Sequence, residues 1–167
     1  ILSNSACTHA QYRKTVHGNG NVVTKERKAE DFTGIKVSSG IDVYLKQGNN
    51  MSITVDADEN LHEYILTEVR NGVLNVYTDA NIRESKMKRV YVTMKDINSV
   101  STTSAGDVVG ETPVKSDRLE LTASSAGDIK LEVTSKEIKI NISSSGDMTL
   151  SGETDILEAD LSSAGDL

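Results

Sequence analysis

A short polar turn recurs along the second half of the chain, and its regular spacing constrains the fold more than any other feature. Ser-Ser-Ala-Gly-Asp and close variants of it occur four times at nearly even intervals. A period of about 20 residues indicates a solenoid, in which each structural repeat stacks on the previous one. The four turn glycines are Gly106, Gly127, Gly146 and Gly165.

Apolar and polar residues alternate on both sides of these turns. Before the third turn, for example, Ile138, Ile140 and Ile142 are separated by single polar residues. This period of two predicts β-strands with one face inward and the other in water. The region is also rich in Ser, Thr and β-branched residues, which are poor helix formers. We therefore predict an all-β fold, a right-handed β-solenoid with about 19–21 residues per rung.

The first half of the chain is β-rich but less regular. Residues 32–45 consist of a strand, a Ser-Ser-Gly turn and a second strand, which we interpret as a diverged copy of the same unit. Residues 51–55 alternate as a further strand, and Asn71-Gly72 predicts a hairpin because both residues accept positive φ angles. Asp58 is expected to be the N-cap of one short helical turn.

The expected domain organisation is a flexible N-terminal tail at residues 1–17, followed by a single domain at 18–167. Gly165-Asp166-Leu167 stops where earlier copies of the turn begin a new strand, so we expect the native protein to continue beyond Leu167. The single cysteine, Cys7, excludes an internal disulfide framework. Ser5-Ala6-Cys7 has the small residues that precede a lipidated cysteine in bacterial lipoproteins, and an unmodified thiol in a tail is the alternative.

The net charge of −7 is distributed unevenly along the chain. Residues 1–30 carry a balance of +3, whereas residues 101–167 carry −8. A nucleic-acid partner is excluded because binding needs clustered positive charge, and the one dense basic run, Arg83 to Arg89, is interpreted as a solvated strand or loop edge. No apolar run reaches the roughly 18 residues of a membrane span, so a membrane is expected to be a partner only through a lipid anchor on Cys7.

These features together resemble the head GIN domain family of auto-transporter adhesins. The resemblance rests on the block from Phe32 to Val43 and on the Gly-Asp turns, and it covers the chain from about Gly18 to its C-terminus. It implies an exported or surface-attached β-solenoid of a Gram-negative bacterium, at the outer membrane or cell surface or in the periplasm, and frequently a lipoprotein. The implied function is an adhesin-like module whose partner is a surface glycan or a protein. The resemblance carries over no catalytic residue.

The turn aspartates form a candidate ladder for a cation or a sugar. Like charges about 4.8 Å apart repel, and a bound cation such as calcium would relieve that repulsion. The favoured interpretation is structural: each aspartate accepts backbone N–H bonds within its own turn, while the glycine supplies an unusual φ. The ladder consists of Asp107, Asp128, Asp147 and Asp166.

An enzyme is the alternative class, namely a polysaccharide-active β-helix lyase or hydrolase. Paired carboxylates could serve a glycosidase, but that chemistry needs two unlike environments, and repeated turns offer near-identical ones. The three histidines, His9, His17 and His62, precede the repeats, so an enzyme site would have to lie in the irregular first half. We therefore predict a non-enzymatic protein without a cofactor, a metal site or catalytic residues. No pattern in the sequence specifies an oligomeric state.

Overall fold

The computed structural model describes residues 13–167, which are built almost entirely of β-strands. One 3₁₀ turn occurs at Glu59–Leu61, and residues 13–167 contain no α-helix and no helix able to cross a membrane. The predicted all-β class is confirmed. The strands are β1 (Thr15–His17), β2 (Val22–Arg27), β3 (Gly34–Val37), β4 (Asp42–Gln47), β5 (Ser52–Asp58), β6 (Ile65–Arg70), β7 (Val73–Thr78), β8 (Asn81–Glu84), β9 (Lys88–Met94), β10 (Ser99–Thr102), β11 (Val108–Gly110), β12 (Val114–Ser124), β13 (Asp128–Ser143) and β14 (Asp147–Leu161).

Twelve of these strands form one sheet that surrounds the core. Strands β1 and β8 form a separate parallel pair. Within the large sheet, strands that precede a turn pair in parallel with one another, and strands that follow a turn do the same. From β10 onward the paired positions are one repeat apart. We call each pair of strands joined by one turn a rung. This parallel pairing keeps the equivalent side chains of successive rungs in line.

Two apolar ladders fill the space between the strands. The ladder before the turns runs through residues that pair directly with one another, and every member except the last is buried: Leu74, Ile35, Val100, Leu121, Ile140 and Ala159. The ladder after the turns is buried throughout: Val90, Val43, Val108, Ile129 and Met148. The residues that the period of two predicts to point inward therefore form the core, except along most of β14.

The corner opposite the turns is formed by continuous strand in the later repeats. Strand β13 continues through that corner without a break, and β14 follows it residue for residue. Ser135 marks the corner, where its hydroxyl donates to the carbonyl of Glu137. Strand β14 pairs only with β13, and its residues Ile156 and Leu157 are about half exposed, at 54% and 53%.

The first half of the chain matches the predicted strands and adds antiparallel ones. Strands β3 and β4 flank the Ser-Ser-Gly turn, and the Asn71-Gly72 hairpin joins β6 to β7 with φ of 52° and 73°. Strands β5 and β2 continue the sheet from β9 in antiparallel fashion. The predicted N-terminal tail is too long at its C-terminal end, because residues 15–17 form β1 and Val16 is buried.

Asp58 does not cap the 3₁₀ turn through its side chain, in contrast to the prediction. Its buried carboxylate instead accepts backbone N–H bonds from Gly20, Lys86 and Met87. Burial alone would raise the pKa of this carboxyl, but the three N–H donors and the nearby Lys86 charge outweigh it and hold the pKa below its ordinary value. Asp58 therefore fastens the loop after β1 and the loop after β8 to the end of β5.

His62 is buried directly after the 3₁₀ turn. Its Nε2 donates to the carbonyl of Val23 at 2.9 Å, which leaves Nδ1 unprotonated and without a partner among the described residues. Burial lowers the pKa of His62, and the positive charges of Lys25 and Arg27 lower it further. The neutral imidazole is therefore the form that the fold stabilises.

We expect the protein to lose stability as the pH falls below about 6.5, the ordinary pKa of histidine in an unfolded chain. The unfolded chain takes up a proton at His62 before the folded chain does, so the loss continues until the pH passes the lowered folded pKa. Melting temperatures between neutral and mildly acidic pH measure it. The variant His62→Gln should have a shallower pH slope than the exposed control His17→Gln, and equal slopes would contradict the assignment.

Candidate functional site

The repeated turns stack into one column at a corner of the sheet. The carbonyl of Ser104 accepts from Gly40 N at 3.1 Å, and the carbonyl of Ser125 accepts from Ala105 N at 3.2 Å. Further along the column, Asp147 and Asp166 form a parallel bridge. Neighbouring turns are therefore linked directly by their backbones, and the turn side chains of successive rungs form a continuous polar surface.

Each turn places non-glycine residues in the left-handed region of backbone space. In the second copy the two central residues, Ser125 and Ala126, have φ of 55° and 63°, and Gly127 N donates to the carbonyl of Ser124 at 3.2 Å. Two central residues with positive φ are typical of a type I′ turn. The next copy repeats this geometry at Ser144 and Ser145, with φ of 55° and 66°.

The role predicted for the turn glycines was wrong, because φ is not positive at any of the four. Glycine is required there because successive rungs approach too closely for a side chain. A Cβ atom at Gly146 would lie 2.8 Å from the carbonyl carbon of Ala123, and one at Gly127 would lie 2.7 Å from Oγ1 of Thr102. The glycines thus permit the close stacking of the rungs, while the preceding Ser and Ala residues adopt the unusual φ.

The aspartate ladder bonds between rungs rather than within a turn. Oδ1 of Asp107 accepts from Asp128 N at 3.4 Å, and Oδ1 of Asp128 accepts from Asp147 N at 3.3 Å. The expectation that each carboxylate serves its own turn is corrected by these two contacts. An aspartate in this column therefore fixes the next rung to its own.

Asp42 is a further member of the ladder that the sequence interpretation missed. Val43 pairs with Val108, which places Asp42 beside Asp107 at the start of the column. The signal was present in Ser39-Gly40-Ile41-Asp42, but the inserted Ile41 hides the Gly-Asp pattern. Burial raises the pKa of Asp107, and the nearby charges of Asp128 and Asp42 raise it further.

The ladder is a row of single carboxylates rather than a cage. Residues 13–167 contain no group of three or more His, Cys, Asp or Glu side chains arranged to hold a metal ion. His17 and His62 lie in the first half, and His9 and Cys7 lie outside the described residues. The chemistry that this column offers is hydrogen bonding and negative charge along an extended edge.

A broad polar groove of about 1120 Å³ lies at the opposite corner. Its hydroxyls bond within their own strands, since Ser116 donates to the carbonyl of Arg118 at 2.7 Å and Thr154 donates to that of Ile156 at 3.0 Å. The charged side chains there pair across rungs, as Arg118 does with Glu137 at 2.8 Å. Because several of its hydroxyl and charged groups already have partners and its charges are of both signs, this groove is the weaker candidate for ligand binding.

A protein-family model described as "Putative auto-transporter adhesin, head GIN domain" matches residues 31–167. No curated protein sequence matches the chain. Among solved structures, a "putative adhesin" from Parabacteroides distasonis is 25% identical with a TM-score of 0.85, and the match covers 91% of this chain and 66% of that one. A "putative lipid binding protein" from the same organism is also 25% identical, with a TM-score of 0.81 and coverage of 89% and 65%.

A third structure, a "putative adhesin" from Bacteroides fragilis, supports the fold alone. It is 16% identical, with a TM-score of 0.65 over 90% of this chain and 98% of that one. The chain spans about two thirds of the length of the two Parabacteroides proteins.

We predict opposite effects for two substitutions in neighbouring turns. Gly146→Ala should lower the free energy of unfolding by about 1–3 kcal/mol, because the added methyl group would contact backbone that cannot move independently. Ala126→Gly should leave stability equal or raise it by up to about 1 kcal/mol, since glycine removes the cost of a left-handed residue. Urea unfolding measures both values, and a Gly146→Ala protein as stable as the unmodified one would contradict the close-approach argument.

The aspartate ladder should hold the rungs together without a bound cation. The double variant Asp128→Asn/Asp147→Asn retains an acceptor oxygen at each position and removes two charges, so its stability should stay level or rise slightly. Calcium should change the melting temperature of the unmodified protein very little, because only a ligand that binds the folded state adds stability. A rise of several degrees in calcium that the double variant abolishes would make the ladder a metal site.

Proposed function

Because the chain belongs to the auto-transporter adhesin head GIN domain family, we propose that it is an exported, adhesin-like interaction module of a Gram-negative bacterium. The adhesin name of one structural neighbour, which is 25% identical, supports this function. The module acts at the outer membrane or cell surface, and its partner is a surface glycan or a protein.

The proposed architecture is a right-handed β-solenoid. The parallel pairing of β12, β13 and β14 over consecutive rungs supports a coil, and parallel strands joined by a crossover are right-handed in nearly all folds. Within this proposal residues 18–167 act as one domain that β1 joins through its pairing with β8, and Cys7 is the point of lipid attachment.

The observation that carries the proposed function is the uniform column of turns. Polar turn residues recur at nearly constant intervals along the chain, and the parallel register stacks them one strand spacing apart, about 4.8 Å. A long edge that repeats the same groups suits the recognition of an extended ligand. Glycoside hydrolysis normally uses two carboxyl groups in unlike environments, whereas this column repeats one carboxylate per turn in similar surroundings.

Binding without turnover is the expected result. The immobilised protein is exposed to neutral glycans, acidic glycans and extracellular-matrix proteins, and binding is followed by biolayer interferometry. At least one ligand should bind saturably, while a reducing-end assay on the glycans shows no product. Ile140→Asp is the control, because it places a charge in the core and should abolish both the fold and the binding. Steady release of saccharide products would instead establish a polysaccharide-active enzyme.

A further inference from the structure

A cleft rich in cations lies beside the first turns of the column. It consists of two adjoining depressions of about 200 and 630 Å³ that share Arg13 and Ser39. We call it the basic cleft. Its main lining residues are Arg13, Lys36, Ser39, Arg70, Asn75, Tyr77 and Arg83.

The charge of this cleft is opposite to that of the whole chain. None of the described residues that line it is an Asp or a Glu, although the chain carries a net charge of −7. The last stretch of the chain, from Asp147 to Leu167, has six acidic residues and no basic one. The groove at the opposite corner mixes both signs, with Lys115 and Lys136 near Asp117 and Asp155. The cleft therefore offers an anion a local concentration of positive charge on a protein that is negative overall.

Two of the cations are available for a ligand. Lys36 projects from the outer face of β3, where its register neighbours are the uncharged Asn75 and Ser101. Neither Lys36 nor Arg83 forms an ion pair with a carboxylate of residues 13–167. Their charges are therefore uncompensated within the described part of the chain.

Tyr77 gives the cleft a fixed aromatic wall. Its hydroxyl donates to the Glu68 carboxylate at 3.0 Å, and the same carboxylate pairs with Arg70. This network holds a half-buried ring in place at the edge of the cleft. A sugar ring has apolar C–H groups that can lie against such a ring.

We propose that the basic cleft binds an acidic saccharide, a carboxylated or sulfated sugar chain; this rests on the proposed adhesin-like function and names its ligand class. Anionic groups of the sugar chain are bound by Lys36 in one depression and by Arg83 in the other, since guanidinium and ammonium groups form strong charge-assisted bonds to such oxygens. Sugar hydroxyls bond to Ser39 and Asn75, which line the same cleft. A long nucleic acid is disfavoured, because it would extend beyond the cleft over a protein whose net charge is −7.

The test measures binding of three oligosaccharides of equal length by calorimetry: a carboxylated oligogalacturonate, a sulfated heparin fragment and a neutral dextran. The unmodified protein should bind at least one of the acidic oligosaccharides, and binding should weaken as salt is added. The neutral oligosaccharide should not bind at this cleft. The double variant Lys36→Gln/Arg83→Gln should weaken acidic binding by at least about tenfold, because it removes both charge-assisted contacts.

The matched control is Lys46→Gln/Lys130→Gln, which makes the same change in net charge on exposed residues of β4 and β13. Affinity in the control should stay within about twofold of that of the unmodified protein, because distant exposed charges are screened. Equal weakening by both double variants would overturn the proposal, since the attraction would then be a property of the whole surface. An oligonucleotide of the same charge that binds as tightly would also overturn it.

Failure of this inference can be distinguished from failure of the proposed function. If neither acidic oligosaccharide binds, the basic cleft is not a site for acidic saccharides. The protein is then tested for saturable binding of a neutral glycan or another protein. If Lys36→Gln/Arg83→Gln leaves such binding unchanged, the adhesin-like function is supported and lies at another surface. Thermal melts of both double variants verify that they are folded, and neither residue pair contributes to the core.

Discussion

The parallel hydrogen bonding between successive rungs is the constraint on which the rest of the structure depends. A shift of one position in any strand would turn its apolar face outward, so every rung must keep the register of its neighbour. The later repeats do this without adjustment, as Ile140 pairs with Leu121 and Ala159. The interval between the first two turns is longer than the later ones, so the register changes within it. Val108 pairs with Ile129, 21 residues further along, whereas Val114 pairs with Val133, 19 residues further along. The extra length lies between β11 and β12, where the sole proline cannot donate a strand hydrogen bond.

The two corners of the sheet use their polar groups differently. At the turn column, a carboxylate reaches the backbone of the next rung, so the corner itself adds to the stacking. At the opposite corner, each hydroxyl bonds to a carbonyl slightly further along its own strand, and charged pairs such as Lys136 and Asp117 connect neighbouring rungs. Charge alternates along that side, because Lys139 lies between Glu120 and Glu158 in register. These exposed pairs are individually weak, and their arrangement mainly avoids placing like charges side by side.

Much of the architecture could be predicted from the sequence, because each of its two periods has a direct structural cause. The period of two identified the inward residues, and the even recurrence of the turn identified the units that stack. The function of individual turn residues could not be predicted in the same way. Whether Gly127 supplies an unusual φ or a close approach depends on what faces it, and the facing Thr102 belongs to the preceding rung.

Sites assembled from distant segments also could not be predicted from patterns in the sequence. Asp58 resembles an N-cap locally, but its hydrogen-bond donors come from two loops far along the chain. The cations of the basic cleft come from four separate segments, so no single basic run indicates the site. The dense run from Arg83 to Arg89 was interpreted as an edge, although Arg83 lies in the cleft and Lys88 is half-buried, with a pKa lowered by that burial.

The pairing distances along the chain also determine the order in which the molecule can assemble. Strands β12, β13 and β14 meet partners a single repeat away, whereas Ile35 of β3 must find Val100, more than three repeat lengths further along the chain. Closing the longer loop between β3 and β10 costs about 1 kcal/mol more in chain entropy than closing a single repeat. This cost arises before any contact of β3 with β10 forms. The uniform C-terminal rungs and the local β6–β7 hairpin can therefore form before β3 meets β10. The basic cleft, which combines residues of β3, β7 and β8, depends on pairings from the irregular first half of the chain.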